Sequence, residues 1–131
     1  MSVEVKGLTK IYGEQKAVDN ISFTISKGEI VGFLGPNGAG KSSTMKMVAC
    51  TSPPTSGTLR IRGHDPVEFG SAIRARLGVG PQDDSLDTEI TVEENLTVYA
   101  RYFGMGRKQA HTRSAELLEF VHLTEKRKAK V

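Results

Sequence analysis

Apolar and polar residues alternate through the opening of the chain. Val3-Glu4-Val5-Lys6-Gly7-Leu8 predicts a half-exposed strand over 3–8, and Ile21, Phe23 and Ile25 predict a second within 17–25. Gly13-Glu14 turns between them. After a tight turn at Lys27-Gly28-Glu29 the pattern changes. Ile30, Val31, Phe33 and Leu34 form a nearly unbroken apolar run, the signature of a buried strand. Residues 43–49 predict a helix, ended by Pro53-Pro54-Thr55-Ser56-Gly57. Alternation resumes over 58–62 with Leu59 and Ile61 inward, and Gly63-His64-Asp65 turns. A helix over 66–76 follows, with Val67, Phe69 or Ile73 inward and Pro66 tolerated in its first turn. Leu77 to Gln82 reads as a short strand. Thr91 and Glu94 have the spacing of a capping box. They open a helix over 92–103 with Leu96, Tyr99 and Tyr102 or Phe103 on one face. Gly104-Met105-Gly106 breaks it, and a last helix over 107–122 carries Ala110, Ala115, Leu117, Leu118 and Val121 as its apolar set.

Composition narrows the class. The chain has 131 residues, 37% apolar and 25% charged, which suits one soluble globular domain or part of one. No run of about 18 apolar residues is present to cross a membrane, and the N-terminus lacks the apolar centre of a signal peptide. Cys50 is the only cysteine, so an internal disulfide framework is excluded and a cytosolic setting is the default. Cys50 reads as a small packed residue. Net charge is +3, and from Arg107 onward seven Lys and Arg face three Glu. Such a segment could touch nucleic acid or anionic lipid. With no tryptophan and no interleaved aromatics, a solvated helix face and a frayed tail is the preferred reading, and no nucleic-acid partner is expected. His64 is a lone surface histidine; His111 and His122 are too far apart to share a helical face as ligands.

One stretch carries chemistry. Gly35-Pro36-Asn37-Gly38-Ala39-Gly40-Lys41-Ser42 fits the phosphate-loop pattern, between an apolar run and a helix. A nucleoside triphosphate concentrates negative charge. Backbone N–H groups surround it only where side chains do not intrude, hence Gly35, Gly38 and Gly40. Lys41 brings a point charge to the β- and γ-phosphates, and the Ser42 hydroxyl is placed for Mg²⁺. A helix starting near Gly40 directs its free N–H groups at the same anion.

The lead-in resembles a known family. Leu8-Thr9-Lys10-x-Tyr12-Gly13, Ala17-Val18-x-x-Ile21-Ser22-Phe23, Lys27-Gly28-Glu29-Ile30 and the loop together are similar to the ATP-binding cassette (ABC) family. The resemblance implies an α/β phosphate-loop NTPase core, with an N-terminal antiparallel β layer and the start of a helical subdomain. Residues 1–82 would be the nucleotide-binding core and β layer, and 83–131 the loop after Gln82 and the first helices of the subdomain. It implies ATP and Mg²⁺ as cofactors, Tyr12 stacked on adenine and Val18 as an apolar neighbour. Phosphates would be held by Gly35 to Ser43 (Gly35, Pro36, Asn37, Gly38, Ala39, Gly40, Lys41, Ser42 and Ser43). Ser42 and Gln82 would serve the metal, and Lys41 and Gln82 the reaction. Asp83 and Asp84 read as solvated loop residues rather than a metal pair. Residues 80–105 are similar to exporter ATPases for nodulation signals and drug self-resistance. The implied partners are a transmembrane permease and a second ATPase subunit, paired head to tail, on the inner face of the cell membrane.

The family's Leu-Ser-Gly-Gly signature, its hydrophobic strand ending in Asp, its catalytic Glu and its switch His are absent from these 131 residues. An incomplete domain is therefore expected, binding nucleotide weakly and hydrolysing it hardly at all. Two rivals carry less: a cassette protein acting on ribosomes or DNA, and a phosphate-loop GTPase or small-molecule kinase. The segment after Gln82 and the modest charge speak against the first, and Tyr12 with Gln82 against the second.

Overall fold

A computed structural model describes residues 2–81 and 85–131, which form two compact units, Met1–Val79 and Gly80–Val131. In the first unit, β1 (Val3–Tyr12), β2 (Gln15–Ile25) and β3 (Ser56–Ile61) make an antiparallel sheet in the order β2-β1-β3. Two helices belong to the same unit, α1 (Lys41–Val48) and α2 (Pro66–Arg74).

β1 is longer than its alternation predicts, because a bulge changes its facing part-way. Val5 pairs with Phe23 but Leu8 pairs with Ile21, so the register slips between them. Val5 is therefore buried on an odd position, and Leu8 and Lys10 on even ones. Gly7 sits in the bulge and donates its N–H to Ser22 Oγ at 2.9 Å. Gly57 of β3 comes so close that a Cβ there would lie 2.2 Å from the Gly7 carbonyl oxygen. Val5, Leu8, Val18, Leu59 and Ile61 of the sheet form the core with Met47 of α1 and Ile73 of α2.

The phosphate-loop lead-in differs from expectation. Residues 30–34 are not a strand, and Ile30 and Leu34 are 99% and 97% exposed. A strand is held by ladder hydrogen bonds to a neighbour, and among the described residues no strand pairs with this stretch. Phe33 packs its ring edge-on against Phe23, with centroids 5.2 Å apart. Leu77 to Pro81 likewise forms no strand. In α2, Asp65 caps the first turn by accepting from Val67 N–H at 2.9 Å. Phe69 then has non-helical backbone angles, and the kink leaves Val67 and Phe69 exposed, with Ile73 as the inward apolar residue.

In the second unit, α3 (Val92–Tyr102) begins at the predicted capping box. Its buried residue is Asn95, not the aromatic face: Tyr99 and Tyr102 are exposed. Asn95 earns its place by pinning a loop, accepting from Asp87 N–H at 2.9 Å and donating to Asp87 O at 2.8 Å. α4 (Arg107–Phe120) buries Ala110, Ser114 and Leu118, a one-sided i, i+4, i+8 stripe, while Ala115 and Val121 face solvent. The basic tail does not fray. After a 3₁₀ turn at Thr124–Lys126, Ala129 O and Arg127 O accept from Val92 and Glu93 N–H at 3.0 and 3.1 Å, covering donors that a helix start leaves free. Arg127 also grips the Glu93 carboxylate through Nε and Nη2, both at 2.6 Å.

Two outcomes follow from this architecture. Gly57→Ala introduces the Gly7 clash and a strained left-handed residue, and is expected to cost about 1–3 kcal/mol in denaturant unfolding of the first unit. Glu93 is held below its ordinary value of 4.5, first by the Arg127 hydrogen bond and further by His111. A lowered native value stabilises above the unfolded value and is lost as pH falls through the native one. Acidification past 4.5 is therefore expected to loosen the second unit in the parent chain. In Glu93→Gln that acid-dependent loss is expected to be smaller, read by far-UV circular dichroism.

Candidate functional site: a cleft at the phosphate loop

The loop between residues 35 and 40 ends in a steric fit. Gly40 has φ 89°, and a Cβ on it would lie 2.3 Å from the carbonyl oxygen of Ala17 on β2. Only glycine brings the start of α1 this close to the sheet. Gly40 O then accepts from Thr44 N and Thr44 Oγ1, both at 2.9 Å, and the buried Thr44 anchors the first turn. No side chain caps α1 and its first turn has no acidic residue. Its leading N–H groups are thus available to an anion, with no built-in carboxylate to compete.

An open cleft of about 280 Å³ lies here, lined by Tyr12, Gln15, Ala17 and the consecutive residues Asn37 to Ser43. The structure thereby places Tyr12, at the end of β1, beside a loop more than twenty residues later in the chain. Lys41 folds back over the loop and donates through Nζ to the carbonyls of Gly35 and Pro36. Ser42 is exposed. Gly35 and Pro36 lie upstream of the lining residues, reaching the cleft through Lys41. Val18 is 4% exposed, with its side chain in the core below Gly40 (3.2 Å to a Cβ built there), so the apolar wall falls to Ala17. Gln82, with Asp83 and Asp84, lies outside the described residues.

Tyr12 is 46% exposed, and its phenol is held below the usual 10.0. The neighbouring hydroxyl of Ser52 is the main cause, then that of Ser43, with Lys10 and Lys46 adding positive charge. Gln15 lines the cleft and Ser52 acts on the Tyr12 phenol, and the sequence singled out neither. Ser52 follows the helix that starts at the loop, and only the folded chain returns it to β1. Cys50 is half-buried, and desolvation raises its thiol pKa, as suits a packed rather than reactive residue.

A family model described as "ABC transporter" matches residues 18–131. The chain belongs to this family. Nod factor export ATP-binding protein I of Paraburkholderia xenovorans is 44% identical over 130 residues, 99% of this chain and 43% of the relative. The protein of the same name from Ralstonia nicotianae is 43% identical, over 98% of this chain and 40% of the relative. This chain thus spans less than half the length of these relatives. An ATP-binding subunit of an ABC transporter superposes with TM-score 0.83 at 28% identity, over 99% of this chain and 54% of that one. A dimeric ATP-binding cassette in a post-hydrolysis state, bound to ADP and Pi, superposes with TM-score 0.81 at 27% identity, over 98% and 61%. The phosphate-loop α/β fold of the ABC ATPases is therefore the fold of this ABC chain.

The ABC chain's cleft makes one checkable demand of its own. Ser52→Ala is expected to raise the Tyr12 phenol towards 10.0. Phenolate absorbance against pH, with Tyr12→Phe as the blank, reads the shift.

Proposed function

We propose that these residues are the nucleotide-binding part of an ABC transporter ATPase subunit that takes MgATP in the cleft at the phosphate loop. The observation that carries this is one cleft shared by Tyr12 and the Asn37–Ser43 loop. An aromatic face, free helix N–H groups and a lysine then serve the two ends of one ligand. The fit is specific in kind. Gly40 leaves no room for a side chain at the helix start, the first turn carries no acid, and Lys41 sits on the loop. A polyanion meets donors on every side, and a base meets the Tyr12 ring. When bound, Mg²⁺–ATP supplies a phosphoanhydride bond and a cation that neutralises charge developing on the phosphates.

The chain's own residues bind and orient. Lys41 would exchange its carbonyl partners for phosphate oxygens, exchanging neutral acceptors for anionic ones. Ser42 would offer its hydroxyl to the metal, and Gln82 would be a second contact for the metal and for the attacking water. Asn37 to Ser43 would hold the phosphates through backbone N–H groups, and Ala17 would flank the base. None of these side chains is a general base for water, so these residues supply binding far more than turnover.

In the whole protein, ATP binding and hydrolysis would drive export through a separate membrane-spanning partner, which would select the cargo. The relatives' name, Nod factor export ATP-binding protein I, supports the direction of transport. The dimeric cassette among the structural neighbours supports pairing with a second ATPase subunit. No helix among the described residues is long and apolar enough to cross a membrane. Membrane association through the permease partner is part of the same proposal.

Nucleotide binding by calorimetry tests the proposal. Lys41→Ala is expected to weaken MgATP and tripolyphosphate alike, by about ten- to a hundredfold, from lost charge-assisted contacts. Tyr12→Ala is expected to weaken ATP by about tenfold through lost stacking and to spare tripolyphosphate. A strict preference for guanine nucleotides, or ATP binding indifferent to both substitutions, would overturn the reading.

A further inference from the structure

Beside the tyrosine of the proposed site stands a lysine that tethering alone does not explain. Lys10 is only 9% exposed, although lysine is rarely enclosed without a specific partner. Its Nζ donates to Pro53 O at 2.6 Å and lies 5.0 Å from the centroid of the Tyr12 ring. Two other links already hold this end of β1 to the segment after α1. Thr55 N–H donates to Thr9 O at 2.9 Å, and Ile11 N–H donates to Thr55 Oγ1 at 3.0 Å. A buried apolar side chain at position 10 would fill the same space without the cost of desolvating an ammonium. Tyr12 lines the cleft, whereas Lys10 does not.

We propose that Lys10 is a positioning residue for base recognition, holding the Tyr12 ring by a cation–π contact from outside the cleft so that the ring is presented to an adenine. The proposal rests on Tyr12 being the base platform. The chemistry is local. The Pro53 carbonyl fixes the ammonium, and the ammonium fixes the ring through its quadrupole. A cation near the ring also draws π density away from the surface left for the base, which favours stacking with an electron-rich purine. The positive charge of Lys10 acts on the phenol in the same sense, helping to hold it below 10.0.

Calorimetry of ATP and tripolyphosphate binding decides the matter, with three variants of the full chain. Lys10→Gln keeps a donor for Pro53 O and removes the charge, Lys10→Arg keeps the charge, and Lys10→Gln is repeated in a Tyr12→Ala background. Lys10→Gln is expected to weaken ATP by about three- to fivefold, the range of a partly shielded cation–π contact, with tripolyphosphate unchanged. Lys10→Arg is expected to restore ATP affinity, and Lys10→Gln to have no further effect once Tyr12 is Ala. In nucleotide-free protein, Lys10→Gln is also expected to raise the Tyr12 phenol. Equal weakening of ATP and tripolyphosphate, or an equal loss in both backgrounds, would show that Lys10 only holds the strand end, and so would overturn the proposal. If Tyr12→Ala weakens ATP while Lys10→Gln does not, the Lys10 proposal alone falls. If Tyr12→Ala is itself without effect on ATP, the base-platform reading falls and takes the proposal with it.

Discussion

The close approach of Gly40 to the Ala17 carbonyl is the constraint on which the site depends. It joins three things that the chain keeps apart: the end of the phosphate loop, the start of α1 and the second strand. Because the helix begins in contact with the sheet, its free N–H groups open beside β2 and the end of β1. Tyr12 is thereby brought to the same cleft as Asn37 to Ser43. A methyl group at position 40 would push α1 away and separate Tyr12 from the loop residues of the cleft. The contact is short-range and repulsive, so it sets geometry without adding attraction. The attraction comes from Met47, which carries the other end of the helix into the core.

Much of this was legible where a local rule acts alone. The Gly13 turn, the Thr91–Glu94 capping box and the inward Leu59 and Ile61 stand as read. The apolar run at 30–34 shows the limit of such reading. Four hydrophobic residues announce a buried strand, yet a strand forms only with a partner, and no strand among the described residues supplies one. Periodicity also fails where register slips. The bulge at Gly7 moves the buried set from odd to even positions, which alternation over 3–8 does not reveal.

The polar interior was the hardest to foresee. Lys10 is buried against the Pro53 carbonyl and Asn95 against the Asp87 loop, partners that the fold brings, whereas Ser114 and Thr44 bond the carbonyls of Ala110 and Gly40 four residues back, and their burial follows from the face they occupy. The aromatic face expected on α3 gave way for the same reason: a side chain that satisfies a buried loop outranks a ring that can rest at the surface. In the site, Tyr12 was legible through its place before the loop. Ser52 was not, because its link to the phenol exists only after the turn following α1 brings it back to β1.

The pairing of β1 with β3 has a kinetic side. It joins Val3 to Ile61 and Thr9 to Ser56, so the segment it closes contains all of β2, the phosphate loop and α1. The β1–β2 hairpin, with its Gly13 turn, closes over a short loop and bears little entropy cost, whereas the third strand must confine the whole intervening chain. Non-local pairing of this kind slows folding more than it limits final stability. The phosphate loop thus lies inside the slowest loop of its unit to close.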